Sequence, residues 1–129
     1  MQHYDAIAEF AREGFTVIVD KTWEDLHPRD CFDSSIDPDT GLPYYDVDQM
    51  CQDIDQGSLD WFCLRVRVML DDLELAVEYL GGCLYDSHKV SEVLTDGTAE
   101  ELIHSALYAA RSRAGVVYQQ LGKVLEISH

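Results

Sequence analysis

The residues best placed to do chemistry lie in "DSSIDPDTGLPYYDVD", Asp33 to Asp48, where five aspartates surround a Pro-Asp-Thr-Gly turn and no basic side chain interrupts them. Clustered carboxylates bind hard cations, and the EF-hand loop is the commonest sequence form of that chemistry. A loop begun at Asp37 has Asp39 at its third position and Asp48 at its twelfth. Gly41 then stands where the fifth-position acid belongs, Leu42 replaces the sixth-position glycine, and the bidentate glutamate is missing. No EF-hand is expected. A looser divalent site stays open, and "DPDTGL" also has a plain meaning as tight-turn chemistry.

The second candidate is "LGGCLY", where Cys83 precedes Asp86 and His88. A thiol nucleophile needs an oriented base and oxyanion donors, and nothing nearby supplies them. The expectation is a buried cysteine at a strand end, with Gly81-Gly82 marking a bulge or a close backbone approach. The four cysteines, Cys31, Cys51, Cys63 and Cys83, show no C-x-x-C pair or zinc-ligand spacing. His104 falls one step from an apolar stripe and reads as a packed or surface histidine; His3 and His129 are terminal. No Walker loop, dinucleotide fingerprint, H-E-x-x-H or kinase motif occurs. Carboxylate pairs are too numerous for one to be singled out as acid and base. No catalytic residue, metal ligand or cofactor is therefore assigned, and a non-enzymatic role is expected.

Charge is more informative. The chain has 129 residues and a formal net charge of −16, with an apolar content ordinary for one folded domain spanning residues 1–129. Such a chain repels nucleic acid and anionic membrane and attracts basic surfaces. The opening "MQHYDAIAEFAREG" carries acids and no long apolar run. No secretory signal or membrane span is expected, and reduced thiols in a cytoplasm are the natural reading. By segment, residues 20–60 hold twelve acids against Lys21 and Arg29, whereas residues 98–129 balance at three acids and three bases. A coat for solubility would be spread evenly. The candidate partner-binding set is Asp30, Asp33, Asp37, Asp39, Asp46, Asp48, Asp53 and Asp55, with Tyr44 and Tyr45, and Trp61 beside them, adding contact area. A row of fixed negative charges is what imitation of a nucleic-acid backbone requires, since duplex DNA presents one charge per about 1.7 Å of axis. The competing reading is a solvated face.

The elements that must position these residues follow from periodicity. "HYDAIAEFARE" places Tyr4, Ile7, Ala8 and Ala11 at helical spacing before Gly14 and predicts a short helix. "FTVIVD" alternates and predicts a strand. Residues 21–44 read as a long loop broken by prolines. Val47, Met50, Cys51 and Ile54 then predict a helix with Asp46 as N-cap and Gly57 as C-cap. "WFCLRVRVMLDDLELAVEYLGGCLY" reads as a hairpin turning at Asp71-Asp72. Strict pairing sets Leu70 by Leu73, Val68 by Leu75, Val66 by Val77, Leu64 by Tyr79 and Arg65 by Glu78, with Met69 by Glu74 and Arg67 by Ala76. After a short helix-like piece, Thr98-x-x-Glu101 makes a capping box. The helix it opens, of about 28 residues, would be roughly 42 Å long, whereas a six-residue strand spans only about 20 Å. Part of it must pack elsewhere. The stripe that includes Ala110, Ala114, Val117, Leu121 and Val124 has two readings, core resting on the hairpin's apolar face or a face for pairing with a second copy. The order is αβαββα: an α+β fold, a small antiparallel sheet covered on one face by a long C-terminal helix.

A small, acidic α+β chain with a "DWFCLRVRV…LELAVEYLGG" hairpin resembles phage and mobile-element proteins of the anti-defence type, the anti-CRISPR and antirestriction proteins, several of which mimic nucleic acid. The resemblance rests on size, charge and layout and carries over no residue. It implies a non-enzymatic inhibitor whose acidic surface occupies a basic, nucleic-acid-binding site on a partner protein or complex, without direct contact to nucleic acid or membrane. The alternatives are a homodimeric adaptor whose acidic region is solvated, and a divalent-cation-dependent enzyme or binder.

Overall fold

The computed structural model describes residues 3–32 and 35–127. Strands β1 (Asp5–Arg12), β2 (Phe15–Trp23), β3 (Leu59–Leu70) and β4 (Leu73–Asp86) form one sheet in the order β1-β2-β3-β4. All three pairings are antiparallel. Between β2 and β3 the chain leaves the sheet to make a single turn, α1 (Pro28–Cys31), and a longer helix, α2 (Val47–Gln56). A 3₁₀ segment, Val90–Leu94, leads to α3 (Thr98–Ile127). The α+β class and the long helix on an antiparallel sheet are those the sequence implies.

The first element differs: residues 5–12 are a strand, not a helix. Glu13 and Gly14 take φ of 55° and 86°, the left-handed pair that closes a two-residue hairpin. The glycine that reads as a helix cap therefore turns β1 onto β2. The register slips between Ala6 and Ala8, and a bulge sets two successive residues against one partner. Ile7 and Ala8 both pack against the core, which imitates helical spacing in a strand.

The sheet face under α3 holds Val17, Val19, Phe62, Leu64, Val66 and Val68, each at most 1% exposed. Ala99, Ile103, Ala106, Leu107 and Ala110 of α3 close over them. Each buried aliphatic contributes about 1.5–3 kcal/mol, so this layer is the main source of stability. The opposite face carries Asp20, Arg65 and Arg67, and toward its Trp61 end it is capped by the excursion between β2 and β3. Trp61 is 2% exposed, donates its indole N–H to Leu26 O at 2.7 Å, and meets the Phe32 ring at 5.8 Å.

The β3–β4 hairpin keeps the expected register only near its turn. Leu70 pairs with Leu73 and Met69 with Glu74, but a bulge at Leu75 then sets Val68 against Ala76, Arg67 against Val77, Val66 against Glu78, Arg65 against Tyr79 and Leu64 against Leu80. The expected Arg65–Glu78, Val66–Val77 and Leu64–Tyr79 pairs do not form. Leu75 is 8% exposed, and keeping it in the core displaces residues 76–80 of β4 by one. A second irregularity falls at Gly81-Gly82, where Phe62 pairs with Cys83. The glycines mark a bulge, as expected.

Helix α2 has the predicted caps: Asp46 accepts from Gln49 N at 3.1 Å, and Gly57 ends it at φ 84°. The capping box does not form at α3. Thr98 is already helical, and Asp96 Oδ1 takes the Thr98 N–H at 2.9 Å instead. Over 30 residues α3 extends about 45 Å. Ala114 is its last residue packed on the core cluster, so the C-terminal turns run past the sheet. No described helix is long and apolar enough to cross a membrane.

Candidate acidic interface and Trp-lined cleft

Three short-range devices hold the excursion that carries the aspartates. Phe32 wedges between Trp61 and Tyr45, with ring centroids 5.8 and 5.2 Å away, tying the loop to the sheet. Helix α2 turns Val47, Met50, Cys51 and Ile54 inward, the first of them buried and the other three half-buried. Residues 35–44 close on themselves: Ile36 bridges Pro43, Gly41 N donates to Asp37 O at 2.8 Å, and Asp39 N donates to Asp37 Oδ1 at 2.9 Å. Asp37 thus serves the turn.

The predicted site residues divide accordingly. Asp30, Asp39, Asp46, Asp48 and Asp55 are exposed. Asp53 is half-buried and accepts from Gln49 Nε2 at 2.9 Å. Asp46 is committed to capping α2, and Asp48 pairs with Arg29 across α1 and α2. Asp33 lies outside the described residues. Tyr44 and Tyr45 are exposed, although Tyr45 leans on Phe32. A shallow hollow joins Arg29, Tyr45, Asp46 and Asp48, so α1 and the start of α2 do gather charge. Asp37 and Asp39 form a separate turn, with the hydrogen bonds above made inside it.

The bases are spent elsewhere. Arg12 pairs with Glu100, Lys21 with Asp60, Arg65 and Arg67 with Asp20, Lys89 with Asp86, and Arg111 with Glu13. Between Glu24 and Gln56 the sequence holds ten acids and the single base Arg29. The negative potential of this region is therefore barely compensated by the fold.

A cleft of about 220 Å³ opens between the end of β2 and α2, lined by Trp23, Glu24, Asp25, Leu26, Asp55 and Trp61 among others. Of these, the sequence marks Asp55 as a site acid and Trp61 as contact area, and leaves Trp23, Glu24, Asp25 and Leu26 unassigned. Glu24 is 8% exposed; its Oε2 accepts from Gly82 N at 2.7 Å and its Oε1 from Leu26 N at 3.1 Å. A Cβ at Gly81 would stand 2.5 Å from Glu24 Oε2, so the glycine is what lets the carboxylate lie flat against β4. The available signal was "TWED" at a strand end, an aromatic and two acids together where β2 leaves the sheet.

Cys83 is 6% exposed, and burial pushes its thiol up to about 11, so it stays protonated at neutral pH. It is a core side chain, as expected. His104 is exposed and 3.3 Å from Glu100. Among the described residues, no three His, Cys, Asp or Glu side chains converge as a metal-binding group.

On α3, Ala110 is fully buried beneath the sheet and Ala114 packs against the core. These two belong to the monomer's own interior rather than to a pairing face, because the stripe changes its role where the sheet ends. Val117 is half-buried, and Leu121 and Val124 are 57% and 58% exposed. Comparison with known proteins finds no matching family model, no similar curated protein and no similar solved structure.

Proposed function

We propose that this is a non-enzymatic binding protein of inhibitory type, which sets the acidic surface of α1 and α2 against a basic, nucleic-acid-binding site on a partner protein. The observation that carries the reading is the uneven compensation of charge: among the described residues Arg12, Lys21, Arg65, Arg67, Lys89 and Arg111 sit in ion pairs outside the acid-rich excursion, and Arg29 does so within it. Exposed, fixed carboxylates beside exposed tyrosines suit a cationic groove, speeding encounter and setting orientation. A host-defence complex that handles nucleic acid is the class of partner in view.

Capture from a lysate of the native host tests this. The wild type should retain nucleic-acid-binding proteins that duplex DNA displaces, with affinity falling tenfold or more between about 50 and about 200 mM salt. Asp30/Asp39/Asp48→Asn should lose most of that capture. Retention indifferent to both DNA and salt would dismiss the proposal.

One observation favours a second reading, a homodimeric accessory protein. Beyond Ala114, α3 exposes Val116, Tyr118, Leu121 and Val124, and Val117, Leu121 and Val124 follow the four-three spacing of a coiled-coil seam. This is also the charge-balanced segment, where two acidic copies meet with least repulsion.

A further inference from the structure

We infer that the cleft between β2 and α2 is a binding site for the guanidinium of an arginine on the partner protein. The inference rests on the acidic-interface reading and specifies what one part of that interface recognises. Glu24 is the starting point. Glu24 is 8% exposed as a residue, and its carboxylate accepts hydrogen bonds from two backbone N–H groups. Among the described residues no cation pairs with it, whereas Asp20, Asp60, Glu13 and Glu100 each have an arginine or lysine partner. A buried carboxylate without a counter-ion is costly, and a cation entering beside it would offset that cost.

The walls select the kind of cation. Trp61, 2% exposed, closes the cleft from within, Trp23 lines it and is 67% exposed, and Asp25 and Asp55 are exposed lining residues. Aromatic surface attracts cations through its quadrupole. A planar, weakly hydrated guanidinium gains more there than a compact ammonium, and it can also fork to carboxylates. The volume, about 220 Å³, is below the usual range for a whole small-molecule ligand and matches one long side chain. An exposed tryptophan beside a formed cavity is the arrangement in which interface energy concentrates.

Trp23 and Trp61 are the chain's two tryptophans, so intrinsic fluorescence reports this cleft. Titration with acetyl-Gly-Arg-Gly-amide should give a saturable change with a Kd on the order of 1 mM or tighter. The citrulline peptide, which has the same shape without the charge, should give none over the same range, and the lysine peptide should bind several-fold more weakly. Asp25→Asn/Asp55→Asn, and separately Trp23→Ala, should each weaken binding about tenfold; these three side chains are exposed, so the fold should persist. Asp30/Asp39/Asp48→Asn should bind the peptide as the wild type does. Equal responses to arginine and citrulline, no saturable response, lysine binding as tightly as arginine, wild-type binding by the cleft variants, or loss in the Asp30/Asp39/Asp48 variant would each overturn the assignment. A failed peptide titration beside DNA-displaceable capture would remove the cleft and leave the acidic-surface reading standing.

Discussion

Arg65 clasps Asp20 through two hydrogen bonds, Nε to Oδ1 at 2.8 Å and Nη2 to Oδ2 at 2.6 Å, from neighbouring strands on the sheet face turned away from α3. Arg67 Nη2 lies 3.6 Å from the same carboxylate, and the Tyr4 ring covers the Arg65 guanidinium at 3.4 Å. Asp20 is 4% exposed. Two cations thus share one buried anion, and this acid belongs to the fold, outside the proposed interface.

Removing Asp20 leaves both guanidinium groups uncompensated. Asp20→Ala should cost about 3–5 kcal/mol, read as a lower urea midpoint. Glu13→Ala, which breaks the exposed pair with Arg111, should cost less than about 1 kcal/mol. Equal losses in the two variants would contradict this ranking.

Two glycines should respond with opposite signs to the same change. Gly81→Ala drives a methyl group into Glu24 Oε2 and disturbs the hydrogen bond to Gly82 N, a loss of about 1–3 kcal/mol. Gly115 lies inside α3 with nothing within 4 Å of an added Cβ, so Gly115→Ala should stabilise by about 0.5–1 kcal/mol. Thermal unfolding of the two variants checks both signs.

The pH dependence follows from Cys83. Burial raises its thiol from an ordinary value of 9.0 to about 11, so the unfolded chain loses this proton first and the folded state is favoured while the thiol is neutral. That stability is fully present below about pH 9 and is lost as pH rises toward 11. Cys63 and Tyr85 are also pushed up, chiefly by burial, and act with the same sign. The urea midpoint should fall across this window, less steeply in Cys83→Ala. Iodoacetamide at pH 8 should modify the exposed Cys31 well before Cys83.

The end of α3 offers a test of self-association. Leu121→Glu/Val124→Glu should convert a dimer to a monomer in sedimentation with little loss of monomer stability, because the core contacts of α3 end at Ala114. An apolar seam is also insensitive to salt, unlike the proposed partner capture. A wild type that sediments as a monomer at high concentration would refute the pairing.

What the sequence determined by itself was local. The caps of α2 at Asp46 and Gly57, the turn at Asp71, the glycines at 81–82 and the excess length of α3 each depend on a few neighbouring residues, and short-range chemistry fixes them. The concentration of acids in the excursion was equally legible, since counting needs no coordinates. The tertiary structure decided what depends on competition between distant groups. Residues 5–12 became a strand because pairing with β2 outweighed a helical spacing that a bulge at Ile7 counterfeits. Burial of Leu75 moved the β3–β4 register by one, and Arg65 found its carboxylate on β2 instead of β4. The cleft was hidden for the same reason: Trp23 to Asp25 and Asp55 to Trp61 stand far apart in the chain, and only the packing of α2 against the sheet brings their walls together around Glu24.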